Sequence, residues 1–184
     1  MSIYDFQIPF CSIPYAGPRR RKAAGPSQIE QQQIAAVKPV RSPVNLRPVN
    51  RPTGHNRYCG PAVISIVSGI DTNEAAERIR RYSGQRAVKG SSTVNVRRVM
   101  QDLGVQTERL NIASGQFTLA GLMRRLNAEK RLSSGRAYLV VAGNHFQIVT
   151  ARRYICGITG DFVSIRDKKV KRRARVAGVY EIYR

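Results

Sequence analysis

The sequence predicts an α+β fold in which a group of helices precedes an antiparallel sheet, and an extended N-terminal arm precedes both. All nine prolines lie at or before Pro61, so regular elements are expected beyond that point. Between residues 60 and 129 the apolar positions recur at helical spacing, whereas between residues 137 and 183 they form short runs typical of strands. Helices first and strands second is the order of an α+β domain.

Residues 1–52 form the predicted arm. This segment is basic and rich in proline, and its backbone is predicted to be extended. A short helix over residues 27–36 is possible within it, with Ser27 as its cap. Such a segment buries too little apolar surface to order itself. We therefore expect neighbouring protein subunits to hold the arm in place, and we assign residues 53–184 to the globular domain.

The four predicted helices are bounded by capping and terminating residues. Asp71 with Glu74 resembles a capping box, and Ser92 precedes the third helix. Gly69 and Gly104 suit helix ends because glycine adopts the left-handed conformation without strain. The predicted helices cover residues 60–68, 71–81, 93–103 and 117–129.

The predicted strands follow, apart from one short strand that lies between the third and fourth helices. Gly143 and Asn144 predict a tight turn, so the strands on either side of them form a hairpin. Arg152 and Arg153 predict a second turn. The strands are expected over residues 105–110, 137–142, 145–151, 154–158, 162–165 and 176–183.

The charge balance predicts a polyanionic partner. The chain has 32 Lys and Arg against 11 Asp and Glu, a formal net charge of +21. Nucleic acid, an acidic protein or an anionic membrane surface would each be attracted. The basic runs have no aromatic and glycine motif beside them, so specific recognition of nucleic-acid bases is not expected. The candidate polyanion-binding residues are Arg19, Arg20, Arg21, Lys22, Lys168, Lys169, Lys171, Arg172 and Arg173.

The three cysteines and two histidines argue against a metal or disulfide framework. Cys11, Cys59 and Cys156 form no CxxC pair, so no metal site and no cofactor are expected. Cys11 is interpreted as incidental and Cys156 as a core residue of a strand. The N-terminus lacks the pattern of a signal peptide, and no apolar stretch is long enough to span a membrane.

Cys59 and His145 are the candidate catalytic residues. Cys59 lies directly before an apolar helical run, where unpaired backbone N–H groups and the helix dipole favour a thiolate. His145 opens a strand and would serve as general base. Such a pair needs donors for an oxyanion, and we expect the backbone N–H of Cys59 and the side chain of Asn56 to supply them.

A third residue should orient the imidazole of His145. Asp161 is the preferred candidate because it lies in the turn between the next two strands. Asp167 and Asn144 are the weaker alternatives. His55 is interpreted as a loop residue.

At these positions the chain resembles papain-like cysteine peptidases, in particular the bacteriocin-processing peptidases of peptide-exporting ABC transporters and small phage-encoded relatives. The similarity covers residues 53–183 and rests on Cys59-Gly60-Pro61-Ala62, the helices that follow, and His145-Phe146-Gln147-Ile148-Val149. It implies a papain-like fold and a phage-encoded thiol hydrolase that cleaves peptide or isopeptide bonds through an acyl-thioester on Cys59. The family's oxyanion glutamine is replaced here by Thr53, and its usual acidic context around Asp161 also differs.

Two other functions remain open. A phage virion structural or assembly protein could use a degenerate peptidase fold, with its basic arm and surface bound to neighbouring subunits or DNA. A transglutaminase-like acyl transfer could use the same catalytic pair. Either the host cytoplasm or the phage virion is the expected location, with a peptide substrate if the protein is active.

Overall fold

The computed structural model describes residues 41–51, 58–88, 90–133, 135–151 and 153–184. The chain divides into two units, residues 1–39 and 40–184. The first unit lies outside the described residues, and with it the predicted helix over residues 27–36. Within the described residues, no helix is long and apolar enough to cross a bilayer.

Four α-helices and six strands make up the described part of the second unit. The helices are α1 (Cys59–Ser68), α2 (Thr72–Ser83), α3 (Thr93–Asp102) and α4 (Leu119–Ala128). The strands are β1 (Gln106–Arg109), β2 (Ala137–Ala142), β3 (His145–Thr150), β4 (Arg153–Cys156), β5 (Val163–Ser164) and β6 (Val176–Tyr183). The predicted α+β class is confirmed.

The helix boundaries follow from capping chemistry. Asp71, Ser92 and Thr118 each accept a hydrogen bond from a backbone N–H in the first turn of α2, α3 and α4. Gly69 ends α1 with φ of 82°, a left-handed conformation that glycine adopts without a Cβ clash. The predicted ends of these helices therefore agree with the structure to within two residues.

The six strands form a single antiparallel sheet in the order β1-β6-β2-β3-β4-β5. Helices α1, α2 and α3 cover one face, where Leu139, Phe146 and Ile148 lie buried against them. Helix α4 covers the other face, where Leu122 and Leu126 pack on the sheet. The alternation of side chains along each strand therefore separates two cores, one on each side of the sheet.

The boundary between arm and domain lies earlier than the proline pattern predicted. Residues 41–51 are part of the second unit and pair with it at intervals. The N–H of Ser42 donates to the carbonyl of Arg184 at 2.8 Å, and the N–H of Val49 donates to Gly160 at 2.9 Å. Val44 and Val49 are buried in the core. An extended segment can dock in this way because its backbone makes no internal hydrogen bonds.

Candidate active site

Cys59 is the first residue of α1 and is 5% exposed. Tyr58 stands at the N-cap position and provides no side-chain hydrogen bond to the helix. Tyr58 therefore leaves the amides of the first turn without a side-chain cap from the described N-cap residue, and these amides concentrate positive potential at the Cys59 thiol. The segment directly before Tyr58, residues 52–57, lies outside the described residues, so the predicted oxyanion residue Asn56 and the neighbouring His55 do too.

Close packing holds the start of α1 against the end of β4. A Cβ atom on Gly157 would lie 2.9 Å from the Cβ of Ala62 and 3.8 Å from the Cα of Cys59. A Cβ on Gly60 would collide with the side chain of Ser91, in the segment that leads into α3. Both glycines permit an approach that any larger residue would prevent. The thiol of Cys59 is thereby fixed at one end of the sheet.

His145 opens β3 at the same end of the sheet and is 7% exposed. The turn before it uses Gly143 and Asn144 with φ of 58° and 55°, as the predicted tight turn requires. In the register of the hairpins, Gln147 lies opposite Cys156. Because side chains alternate along a strand, His145 and Gln147 share one face with Cys156.

The thiols of Cys59 and Cys156 therefore both lie near the imidazole of His145. Burial disfavours the charged ring, but the nearby thiols of Cys156 and Cys59 outweigh this and raise the pKa of His145 from 6.5 to about 9. Neither ring nitrogen has an aligned hydrogen-bond partner among the described residues. The ring is thus held by packing and by charge, with its nitrogens still available for proton transfer.

Cys156 is the second member of this pair. Burial raises the pKa of its thiol, but the His145 ring, the Tyr154 hydroxyl and the backbone of Thr159 together lower the pKa from 9.0 to about 6. Near neutral pH this places a thiolate next to an imidazolium inside the protein. The two pKa values belong to the coupled pair rather than to either residue alone.

Hydrogen bonds around Cys156 keep this arrangement in place. Its N–H donates to the Thr159 hydroxyl at 3.0 Å, and that hydroxyl lies 3.8 Å from the Cys156 sulfur. The Tyr154 hydroxyl donates to Oε1 of Gln147 at 2.8 Å, which fixes the orientation of this buried amide. Nε2 of Gln147 is left as a buried donor without a partner among the described residues.

Cys156 is the functional candidate that the sequence analysis missed, because a lone cysteine in an apolar strand is ordinarily a core residue. It is buried, as that interpretation requires, but it faces a titratable ring. One signal in the sequence was available. Counting outward from a turn at Arg152–Arg153 pairs Cys156 with Val149, which shares a strand face with His145. The observed register brings Cys156 two positions nearer to His145, opposite Gln147.

The three candidates for orienting His145 do not bond to it. Asp161 is exposed, and its Oδ1 accepts the N–H of Phe162 at 2.6 Å within its own turn. Oδ1 of Asp167 likewise accepts the N–H of Lys169 at 2.8 Å. Asn144 is exposed in the turn before β3. Short acidic and amide side chains in turns commonly bond the local backbone in this way, which competes with any distant role.

The predicted polyanion-binding residues fall into two groups. Arg19, Arg20, Arg21 and Lys22 lie outside the described residues. The second group lies between β5 and β6 and is exposed, and it comprises Lys168, Lys169, Lys171, Arg172 and Arg173. Within the described ranges, no group of three or more His, Cys, Asp or Glu side chains is arranged to hold a metal ion.

The similarity of this chain to known proteins is low. No protein-family model matches the chain, and no curated protein matches it. Among solved structures it is similar to a double-glycine-motif protease from an AMS/PCAT transporter, determined in complex with the leader peptide. The sequences are 11% identical over 77% of this chain and 93% of that chain, with a TM-score of 0.47. The assignment of the site therefore rests on the side chains described above.

Proposed function

We propose that the protein is a papain-like thiol hydrolase that cleaves peptide or isopeptide bonds, with Cys59 as nucleophile and His145 as proton carrier. One observation supports this most. A buried imidazole at the start of a strand lies near two thiols, and one of these thiols stands at a helix N-terminus whose N-cap residue, Tyr58, makes no side-chain bond to the helix. Thiolate, proton carrier and backbone donors are the three components that acyl transfer to sulfur requires.

The reaction proceeds in two halves. The Cys59 thiolate adds to the carbonyl carbon of the scissile bond, and the N–H groups at the start of α1 donate to the developing oxyanion. His145 gives its proton to the leaving nitrogen as the C–N bond breaks, which releases an amine and leaves an acyl-thioester on Cys59. His145 then takes a proton from water, and the resulting hydroxide displaces the thiolate and yields a carboxylic acid.

Cys156 has a role in this mechanism that is distinct from that of the nucleophile. It is 1% exposed and lies within β4, so the carbonyl carbon of a substrate has no route to its sulfur. Its thiolate instead stabilises the protonated form of His145, as a carboxylate does in other catalytic triads. It thus takes the place that the sequence analysis assigned to Asp161.

Alkylation followed by peptide mapping tests this function. We expect iodoacetamide or an epoxide probe to modify Cys59 selectively in the full chain, and Cys59→Ala to lose that modification. Cys156→Ser should keep it, because the nucleophile remains. His145→Gln should slow it by at least about tenfold, since the thiolate then loses its cationic partner. Equal labelling of the Cys59→Ala chain would refute the assignment.

A non-catalytic role is the second candidate, and the absence of an aligned partner for the His145 ring among the described residues favours it. In the virion structural role predicted from the sequence, the fold would act as a scaffold and the basic arm would bind neighbouring subunits or DNA. Deleting residues 1–39, which leaves the docked residues 41–51 in place, would then abolish assembly, whereas Cys59→Ala would leave assembly unchanged. Loss of processing in the Cys59→Ala chain, with assembly intact, would favour the hydrolase.

A further inference from the structure

The loop between β5 and β6 concentrates positive charge next to the candidate active site. Residues 166–175, here called the basic loop, contain seven Lys or Arg and a single acidic residue, Asp167. The carboxylate of Asp167 accepts a backbone N–H of the loop itself at 2.8 Å. The cations of the loop are Arg166, Lys168, Lys169, Lys171, Arg172, Arg173 and Arg175.

The basic loop is an ordered part of the fold. Val170 is buried against the α4 side of the sheet. The first N–H groups of α4, on Leu119 and Ala120, donate to the carbonyls of Ala174 and Arg172 at 2.9 and 3.0 Å. Since the loop caps a helix, its cations cannot separate by unfolding locally. An anion bound at the loop would relieve the mutual repulsion of these exposed cations.

The acidic side chains of the described residues form their ion pairs elsewhere. Glu74 and Glu77 pair with arginines one turn later in α2, and Glu129 pairs with arginines at the end of α4. Glu108 and Glu181 pair with arginines around β1 and β6. Within the described ranges, no acidic side chain forms a salt bridge with the basic loop.

The basic loop adjoins the turn that carries His145. The N–H of Gly143 donates to the carbonyl of Arg175 at 3.0 Å, and a Cβ on Gly143 would lie 3.1 Å from the Cβ of Ala174. An open groove of about 690 Å³ runs between the loop and the start of α4. Its lining mixes apolar and cationic side chains, from Ala120 and Val170 to the cations at residues 171–173.

We infer that this groove binds an acidic segment of a polypeptide substrate and thereby delivers the adjoining bond to the site of Cys59. The inference rests on the proposed function, whose substrate class it specifies. Apolar walls with cations on the rim suit a peptide that alternates apolar and acidic side chains. A nucleic-acid strand is a poorer fit because the loop has no aromatic side chain on which a base could stack.

Binding by an inactive chain tests this inference independently of catalysis. Full-length Cys59→Ala is titrated against a fluorescein-labelled peptide of alternating Glu and Leu, followed by anisotropy at about 50 mM salt. The comparison ligands are the same peptide with Gln for Glu and a single-stranded oligonucleotide of equal charge. We expect the acidic peptide to bind more tightly than either of them, with an affinity that falls as salt increases.

A matched pair of triple variants locates the binding surface. Replacing Lys171, Arg172 and Arg173 with Gln should weaken binding of the acidic peptide by about tenfold, on the scale of three exposed charge contacts. The control replaces three cations from α2, the segment after it and β1, which removes the same net charge and should change the affinity less than about twofold. The control positions are Arg80, Arg86 and Arg109. Thermal melting verifies that both chains are folded.

Several results would overturn the inference. An equal loss of affinity in both triple variants would show that only net charge attracts the peptide. Tighter binding of the oligonucleotide would identify the loop as a nucleic-acid surface, and equal binding of the Gln peptide would exclude a need for acidic residues. Probe labelling of Cys59 is measured separately, in the unaltered chain. If the Cys59→Ala chain binds the acidic peptide but the unaltered chain resists the probe, only the hydrolase proposal is refuted.

Discussion

Replacing Cys156 with serine should lower the pKa of His145 while leaving the nucleophile Cys59 in place. Serine keeps nearly the volume of cysteine, and its hydroxyl can still bond the Thr159 side chain. It does not ionise near neutral pH, so it removes the negative charge beside the imidazole. Burial of His145, which opposes its charged form, then remains, with Cys59 as the one nearby thiol among the described residues.

The size of the effect follows from the raised pKa of His145. An increase from 6.5 to about 9 corresponds to about 3 kcal/mol in favour of the charged ring. Cys156 contributes more of this stabilisation than Cys59 does. Its removal should therefore lower the pKa of His145 by roughly 1 to 2 pH units, because the cost of burying the charge is then offset by one thiol instead of two.

Titration by NMR measures this pKa directly. The chain has two histidines, so His55→Asn identifies the signals of His145. Ile155→Val serves as control, since it alters the core of β4 on the opposite face and leaves the thiols intact. An unchanged His145 pKa in Cys156→Ser would refute the argument, and so would a pKa near 6.5 in the unaltered chain.

The remaining predictions concern the supports of the site and of the fold. Asp161→Asn should leave the rate of probe labelling and its pH profile unchanged. A tenfold fall in the labelling rate would instead support the orienting role predicted for Asp161. Gly157→Ala should lower both the labelling rate and the melting temperature, because its Cβ would lie 2.9 Å from that of Ala62. Thr118→Ala should cost about 1 kcal/mol of stability in denaturant unfolding by removing the N-cap bond to Gly121, whereas Thr118→Ser should not.

Much of the fold could be predicted because local chemistry determines it. The caps at Asp71 and Ser92 and the left-handed residues at Gly69 and Asn144 act over a few positions. Their effects are therefore visible in any short window of sequence. The order of helices and strands follows from periodicity in the same way.

The docking of residues 41–51 could not be predicted from such signals. Proline content correctly indicates extended backbone there, but extended backbone is compatible with both a free arm and a docked segment. What decides between them is the fit of Val44 and Val49 into the core and hydrogen bonds such as that from Arg47 to Ile66. These contacts depend on where the sheet and α1 lie in space.

The sequence indicated two residues of the candidate site, Cys59 and His145, and did not indicate Cys156 beside them. Cys59 and His145 carry local signals, a helix start and a strand start after a tight turn. The partner of His145 depends on strand register and on which face each side chain occupies. A carboxylate is the usual choice on chemical grounds, so Asp161 was preferred over a buried thiol. The structure instead directs the Asp161 carboxylate to its own turn.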